Sequence, residues 1–359
     1  MKICFFGDGE SIHIQRWCEH FVAKGHEVHL ISFKNTTSSS YTVHFIDAGK
    51  ISVAGGNSKI LLQKSKVKKV LRKIQPDILH SLYATSYGVA GAMAGFHPYV
   101  VTALGSDILI SPKKSFLYKK MLRYVFRKAD WITVMSPQMK EEFINMKLGD
   151  ENKVEILPFG INTTVFHNQN RKLPSNSFVI TSTRNFEEVY NIPHILYSVE
   201  AVKNHIPGLK LNLVGDGTKR NEIEKLVDKL KLRDIATFTG RISQPEMSSV
   251  LQSSHLFLSV SLSDGNNISL NEAMACGAYC IATDIPANRQ WIEDGKNGIL
   301  TGVNNIPQLS EKIMEAYKNY SSLAEKAEKI NTLVIAEKAD WNKNMQRVEN
   351  KYIELCRKK

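Results

Sequence analysis

The sequence predicts an α/β protein of two doubly wound domains, each a mostly parallel sheet with helices on both faces. Three observations lead there. The chain has 359 residues, too many for one ordinary core and about right for two domains of roughly 100 to 200 residues each. Short apolar runs alternate with stretches of helical periodicity throughout, the pattern of repeated βαβ units. Near the middle, Pro158-Phe159-Gly160 and the polar stretch 167–177 interrupt the alternation, which then starts again.

Taken in order, the first half predicts strands over residues 2–6, 27–33, 43–46, 77–81, 99–102, 131–134 and 154–157. Ile14, Trp17, Cys18, Phe21 and Val22 share one helical face, and Gly25 closes that helix as a C-terminal cap. The second half predicts strands over 178–181, 210–214, 237–239, 256–259 and 279–282, separated by helices such as 221–232. Beyond Pro307 the chain reads as helical to its end, with Trp341 opening a last amphipathic segment. The expected domains are therefore 1–165 and 166–335, with a terminal helix in 336–359 packing back on the first domain. Two doubly wound sheets that face each other across their carboxyl-edge loops form one deep cleft, the expected ligand site.

Composition narrows the function. Apolar residues make up 43% and charged residues 23%, near the average of soluble globular proteins. Asp8 and Glu10 end the opening apolar run before a signal-peptide core can form, and the uncharged stretch 84–106 contains His97, Pro98 and several glycines. Neither an export signal nor a membrane-spanning helix is expected. Cys4, Cys18, Cys276, Cys280 and Cys356 are scattered, with no CxxC pair, so the reading is free thiols in a reducing cytoplasm, with no metal site.

The net charge of +12 is concentrated in the first half, where residues 1–165 carry 22 Lys and Arg against 13 Asp and Glu. Two windows hold seven basic residues each and no acid: Lys59 to Lys73, and Lys113 to Lys128. The second interleaves Phe116, Leu117, Met121, Leu122, Tyr124, Val125 and Phe126 with its cations, a mixture suited to anionic lipid headgroups. The plainer reading makes those apolar residues core and the lysines a solvated face. No helix-turn-helix, zinc finger or RNP-like strand accompanies the charge, so nucleic acid is not the expected partner.

The strongest chemical signal is Ser263-Asp264-Gly265-Asn266-Asn267-Ile268-Ser269-Leu270-Asn271-Glu272-Ala273-Met274-Ala275-Cys276-Gly277, which follows the apolar run Leu256-Phe257-Leu258. A strand, a glycine-bearing loop and a helix put the backbone N–H groups of Asn267, Ile268 and Ser269 at a helix N-terminus, where a diphosphate can be held. Glu272, one turn into the helix, can accept hydrogen bonds from both ribose hydroxyls, and Asp264 can hold sugar hydroxyls beyond the phosphates. Gly7-Asp8-Gly9 after the first strand suggests dinucleotide binding only superficially. Ile12 stands where the third glycine belongs, and Ser32-Phe33-Lys34 supplies no ribose-binding acid.

With its carboxylates eight residues apart, its Ala-Met-Ala-Cys-Gly helix end, and the continuation Tyr279-Cys280-Ile281-Ala282-Thr283-Asp284, the chain resembles family 4, or group 1, of the glycosyltransferases. The likeness extends over nearly the whole chain and includes Gly25-His26-Glu27-Val28, Pro158-Phe159-Gly160-Ile161-Asn162 and Val214-Gly215-Asp216-Gly217. It implies the GT-B fold, two facing Rossmann-like domains, and a retaining, metal-independent transfer from a nucleotide sugar, most commonly a uridine one. No cofactor is expected. In that resemblance Arg184 grips the donor diphosphate, and Asp264 and Glu272 complete the catalytic set. Gly9, Gly215, Gly240, Arg241, Gly265 and Asn266 line the donor together with the helix N-terminus, Arg241 and Ile242 lying beside the base.

Three departures stand out. Val189-Tyr190-Asn191 occupies the place of the family's second cation, a Lys; Asp264 replaces the usual Glu; and Leu104 stands where a His often precedes Gly105-Ser106-Asp107. His13, His80 and Asp107 are the remaining acceptor-side candidates. The implied partners are a nucleotide-sugar donor, a lipid-linked or glycan acceptor, and an anionic membrane surface through Lys113 to Lys128, with Lys59 to Lys73 as a second patch. The implied location is the cytoplasmic face of the cell membrane, and the process polysaccharide or glycoconjugate synthesis. A nucleotide-sugar epimerase on the same fold and a non-catalytic sugar-binding partner in a glycan assembly complex are the alternatives. The missing Lys and His favour the latter, and the retained Arg184, Asp264 and Glu272 oppose it.

Overall fold

A computed structural model of the protein describes residues 1–48, 62–169 and 171–358. The loop 50–59 and the start of the first basic window, Lys59, lie outside the described residues. Contacts divide the chain into two units, Met1–Pro158 with Met345–Lys359, and Phe159–Asn344.

In the first unit seven strands among the described residues form one parallel sheet. They are β1 (Lys2–Phe6), β2 (Glu27–Ser32), β3 (Thr42–Phe45), β4 (Ile78–Leu82), β5 (Tyr99–Ala103), β6 (Trp131–Val134) and β7 (Val154–Ile156), in the order β3-β2-β1-β4-β5-β6-β7. The reversal of order between β1 and β4 is the switch point of a doubly wound sheet. Every residue of β4 and β5 is buried, as expected of central parallel strands covered by helices on both faces, whereas the edge strand β3 has none buried. The helix Ile12–Ala23 buries Ile14, Trp17, Cys18 and Phe21, the face its sequence spacing predicts, with Val22 only partly covered.

The terminal helix Trp341–Arg357 contributes its last turns to this unit. Tyr352 is fully buried and stacks on Phe21 with ring centroids 5.4 Å apart, while Glu349 accepts a hydrogen bond from His26 at 2.7 Å. The Tyr352 hydroxyl bonds Nδ1 of His80, whose Nε2 meets Thr102 Oγ1 at 2.6 Å.

The second unit has six parallel strands among the described residues: β8 (Phe178–Ser182), β9 (Leu209–Val214), β10 (Ala236–Gly240), β11 (Leu256–Ser259), β12 (Tyr279–Thr283) and β13 (Ile299–Thr301), ordered β10-β9-β8-β11-β12-β13. Here the switch point lies between β8 and β11. The sequence reading contains no β13, since three residues cannot show a period; pairing of Ile299 with Ile281 and of Thr301 with Thr283 creates the strand. Where the chain leaves and re-enters this unit, its two segments lie side by side. Ile161 N–H donates to Ala339 O at 2.7 Å, Trp341 N–H to Ile161 O at 3.0 Å, and a Cβ on Gly160 would sit 2.4 Å from Trp341 N. The fold class is the one the sequence predicts: two parallel-sheet, Rossmann-like units of the α/β class.

Candidate functional site

In the second unit the loops leaving β8, β9 and β11 converge beside the switch point. Phe186 N–H donates to Asp216 O at 3.1 Å, Lys219 N–H to Phe186 O at 2.8 Å, and Leu262 N–H to Val189 O at 2.8 Å. Glu187 accepts from both the Thr218 backbone, 2.9 Å, and the Thr218 hydroxyl, 2.5 Å. These hydrogen bonds, which exceed what exposed loops need for their own backbone, fix the residues between them. Gly215 permits one of these approaches: its φ is +140° and an added Cβ would lie 2.9 Å from Arg184 O. Its N–H donates to Gly240 O at 2.9 Å, and Gly240 itself holds a φ of +68°.

Arg184 is the centre of the arrangement. One terminal nitrogen donates to Asp264 Oδ2 at 2.6 Å and the other to Asn267 Oδ1 at 2.8 Å, with the side chains of Arg184 and Asp264 only 8% and 13% exposed. The Tyr190 ring lies 4.1 Å from the guanidinium carbon. Nothing in the sequence reading joins Arg184 to either Asp264 or Tyr190. The nearest signal to the second contact is the aromatic residue standing where a cation was expected.

The helix Ile268–Ala275 begins as the sequence predicts, capped by Asn267, whose Oδ1 accepts from Leu270 N at 3.1 Å. One detail of the expectation is corrected. Ile268 N–H is already spent on Asn266 O at 3.0 Å, as the tight turn before the helix closes on itself. Among the described residues, the N–H groups of Asn267 and Ser269 are left without a protein acceptor. The Asn267 side chain does not face a ligand either. It is fully buried and donates to Ser259 Oγ at 2.9 Å and Asn288 Oδ1 at 2.8 Å, and Asn288 in turn donates to Thr283 O at 2.8 Å. That chain of amides and hydroxyls ties the ends of β11 and β12 beneath the helix N-terminus, and the sequence reading did not find it.

Several polar atoms at this spot are buried and unbonded: Arg184 Nε, the hydroxyls of Ser182, Thr183 and Ser261, and both amide atoms of Asn266. Native interiors leave few such groups without a partner, so these donors and acceptors are open to water or to a polar ligand. Glu272 is half-buried one turn into the helix, and Arg241 is exposed just past β10. Gly265 is half-buried in the loop beside Asp264.

In the first unit, Gly9 is buried, its N–H donates to Ser32 Oγ at 3.0 Å, and a Cβ there would fall 2.3 Å from Thr36 Cγ2. Packing against Thr36 therefore accounts for the glycine. His80 and Asp107 are corrected as acceptor contacts. His80 has no exposed surface, both ring nitrogens are bonded, and burial pushes its pKa down to about 3, so it is a neutral core histidine. Asp107 is equally buried. Its carboxylate accepts from the N–H groups of Ala84, Leu104 and Gly105 at 2.8 to 3.1 Å, and burial raises its pKa against the pull of those bonds. It shapes the loop between β5 and the next helix. His13 remains at a half-buried position, its pKa lowered by burial and by Arg16. Among the described residues no three His, Cys, Asp or Glu side chains are grouped to hold a metal ion.

The family models decide what this site belongs to. Residues 2–136 match the family described as glycosyl transferase 4-like, and residues 165–332 match glycosyl transferases group 1. The chain belongs to the group 1 glycosyltransferases. An uncharacterised glycosyltransferase of Methanocaldococcus jannaschii is 26% identical over 97% of this chain and 95% of its own. The Escherichia coli UDP-Gal:α-D-GlcNAc-diphosphoundecaprenol α-1,3-galactosyltransferase is 25% identical over 66% of this chain and 65% of its own. Among solved structures, Anabaena HepE in complex with UDP superposes with a TM-score of 0.79 at 18% identity, covering 99% of this chain and 100% of HepE. The likeness to HepE is one of fold, the GT-B arrangement of two Rossmann-like units. In this glycosyltransferase the converging loops around Arg184 thus fall within the group 1 match.

Proposed function

We propose that this glycosyltransferase moves a sugar from a UDP-sugar donor, with retention of anomeric configuration and without a metal ion, to a lipid-linked or glycan acceptor in cell-surface polysaccharide or glycoconjugate synthesis. Among the described residues one observation carries the reading: a buried guanidinium, a helix N-terminus whose Asn267 and Ser269 N–H groups have no protein acceptor, and several buried polar atoms without protein partners meet at the switch point of the second unit. A nucleoside diphosphate has the charge and the acceptor oxygens to complete them. The donor base and the lipid-linked acceptor are suggested by relatives whose names carry UDP and diphosphoundecaprenol.

In the proposed reaction Arg184 and the N–H groups of Asn267 and Ser269 stabilise the charge that grows on the departing diphosphate. Asp264 holds sugar hydroxyls and Glu272 the ribose. The acceptor hydroxyl approaches on the face the leaving group vacates, and its proton passes to a phosphate oxygen, so no separate general base is required. A product-release assay over a panel of nucleotide sugars tests this directly. UDP release should require a matching acceptor and persist in excess chelator. Conversion of donor into an isomeric nucleotide sugar without acceptor would instead reveal an epimerase. Glu272→Ala should weaken UDP binding by about 1.5 to 3 kcal/mol, the cost of a lost charged hydrogen-bond acceptor; unchanged affinity by calorimetry in a folded variant would remove Glu272 from the ribose.

The proposed setting is the inner face of the membrane. Among the described residues no helix is long and apolar enough to cross one, so the attachment would be peripheral. The helix Phe116–Lys128 divides the expected mixture in two. Leu122, Val125 and Phe126 are core, because three apolar positions on one face turn inward, Phe126 meeting Phe143 of the next helix with ring centroids 5.0 Å apart, whereas Phe116 and Leu117 are 67% and 73% exposed at its first turn. Beside it lies a cavity of about 520 Å³ whose lining includes Lys120, Arg123, Arg127, Lys147 and Lys153. Arg123 is spent on the carbonyls of Met146 and Lys147, at 3.0 Å each, and Lys153 on that of Ala129 at 3.1 Å; Lys120 lies 5.0 Å from the centre of the Phe116 ring, and Arg127 and Lys147 complete the cations there. At about 1 kcal/mol per basic side chain near an anionic surface, these and the neighbouring lysines give reversible attachment. Co-sedimentation with vesicles should require anionic lipid, weaken with salt, and fall when Lys120, Arg127 and Lys147 are neutralised or Phe116 and Leu117 become serine. Equal recovery on neutral and anionic vesicles would refute the attachment and leave the transfer chemistry standing.

A further inference from the structure

Between Arg184 and Lys203 the chain contains no Lys or Arg, so a single guanidinium must meet the diphosphate from this loop. What surrounds that guanidinium is unusually complete. Asp264 and Asn267 fix its two terminal nitrogens, and Tyr190 covers one face at 4.1 Å. Only the Nε edge is buried without an acceptor.

Tyr190 is itself held from several sides. It ends a short turn, Glu188–Tyr190, in which its N–H donates to Glu187 O at 3.0 Å. The preceding Val189 carbonyl accepts from Leu262, two residues before Asp264, and the following Asn191 donates to Asn304 Oδ1 at 2.9 Å. The ring is thus placed by the same loop contacts that place Asp264.

We propose that Tyr190 is a positioning residue: its ring face keeps the Arg184 guanidinium in the plane in which the Nε edge meets the donor diphosphate. This rests on the donor-site reading above. The physical reason is twofold. A guanidinium stacked on an aromatic face loses water from that face, so its charge acts through a lower local dielectric and is worth more to a phosphate. Its fork is also directional, and rotation about the last side-chain bonds would misalign the edge that an ammonium, having no plane, would not need aligned. The ring therefore supplies fixity where the sequence supplies no second charge. The Tyr190 hydroxyl has no part in this, which separates the proposal from direct hydrogen bonding of the phenol to a phosphate.

The test uses the full-length protein, UDP binding by calorimetry and steady-state transfer, with circular dichroism to confirm folding. Tyr190→Phe should stay within about twofold of wild type in UDP affinity and kcat, because the face is kept. Tyr190→Leu should lower both by roughly ten- to thirtyfold, the loss expected for a desolvated cation–π contact. In an Arg184→Lys background, which keeps the charge and removes the plane, the Leu substitution should add less than about a twofold loss. Equal damage from Phe and Leu would assign the role to the hydroxyl, and a fully active Leu variant, or the same loss in both backgrounds, would equally overturn the proposal. Should wild type bind UDP while Arg184→Lys binds it unchanged, the donor-site reading itself fails, a result distinct from any of these. If the Leu variant does not fold, Tyr190→Met, of similar volume and no ring, takes its place.

Discussion

An Arg184→Ala enzyme is expected to lose roughly 10²- to 10³-fold in turnover, the usual cost of removing one group that stabilises a developing oxyanion. Binding of the intact donor should suffer less, because the diphosphate carries less charge before the glycosidic bond breaks than after. The protein context adds to the effect. Arg184 is the ion-pair partner of the largely buried Asp264 and donates to Asn267 Oδ1, so its loss leaves a carboxylate without its cation beside the incoming phosphates. UDP, which resembles the departed leaving group, should therefore bind more weakly by a larger factor than the intact donor does. Comparison of kcat, donor KM and UDP affinity measures all three. Wild-type turnover in a folded Arg184→Ala protein would leave the leaving group without its proposed stabiliser.

The second large effect has two opposite signs. Asp264→Asn should reduce transfer by roughly 10²-fold, since a charged acceptor for sugar hydroxyls is replaced by a neutral one. The same change should tighten UDP binding by about three- to tenfold. The Asp264 carboxylate, which accepts from Arg184 at 2.6 Å, and the diphosphate compete for one guanidinium. Removing one negative charge near two phosphates relieves repulsion that the half-buried setting screens poorly. Asparagine is close to isosteric, and its carbonyl can still accept from Asn266 N–H, now 3.1 Å from Asp264 Oδ1, so the loop is preserved. Calorimetry with UDP reads the affinity and an acceptor assay reads the transfer. Weaker UDP binding in Asp264→Asn would show that the carboxylate supports the diphosphate site rather than opposing it.

Much of this was legible from local pattern. The strands of both sheets other than β13, the helix closed by Gly25 and the helix running from Asn267 towards Gly277 follow from apolar spacing and capping residues, which act within a few positions of each other. The three residues at the centre of the proposed chemistry, Arg184, Asp264 and Glu272, were identified from motif and resemblance. Other readings failed for a common reason. His80 reads from the sequence as a loop-edge residue and Asp107 as part of Gly105-Ser106-Asp107, yet His80 lies in the middle of β4. Tyr352 lies 272 positions from His80 and closes it off, and the backbone amides of Ala84, Leu104 and Gly105 enclose Asp107. In the basic helix, one periodic stretch contained both core and surface apolar residues, and only packing separates Phe126 from Phe116.

The sequence by itself determined the α/β class, the two-part organisation and the family, and it singled out the cation and carboxylates of the proposed chemistry, because each is written in short-range periodicity or in a contiguous motif. Tertiary structure alone decided how those charges are wired. Arg184 lies 80 positions from Asp264 and 83 from Asn267, Asn267 lies 21 from Asn288, and β13 exists only through its pairing with β12. These are contacts between strand ends brought together by the crossovers of a parallel sheet, and a crossover separates in sequence what it joins in space.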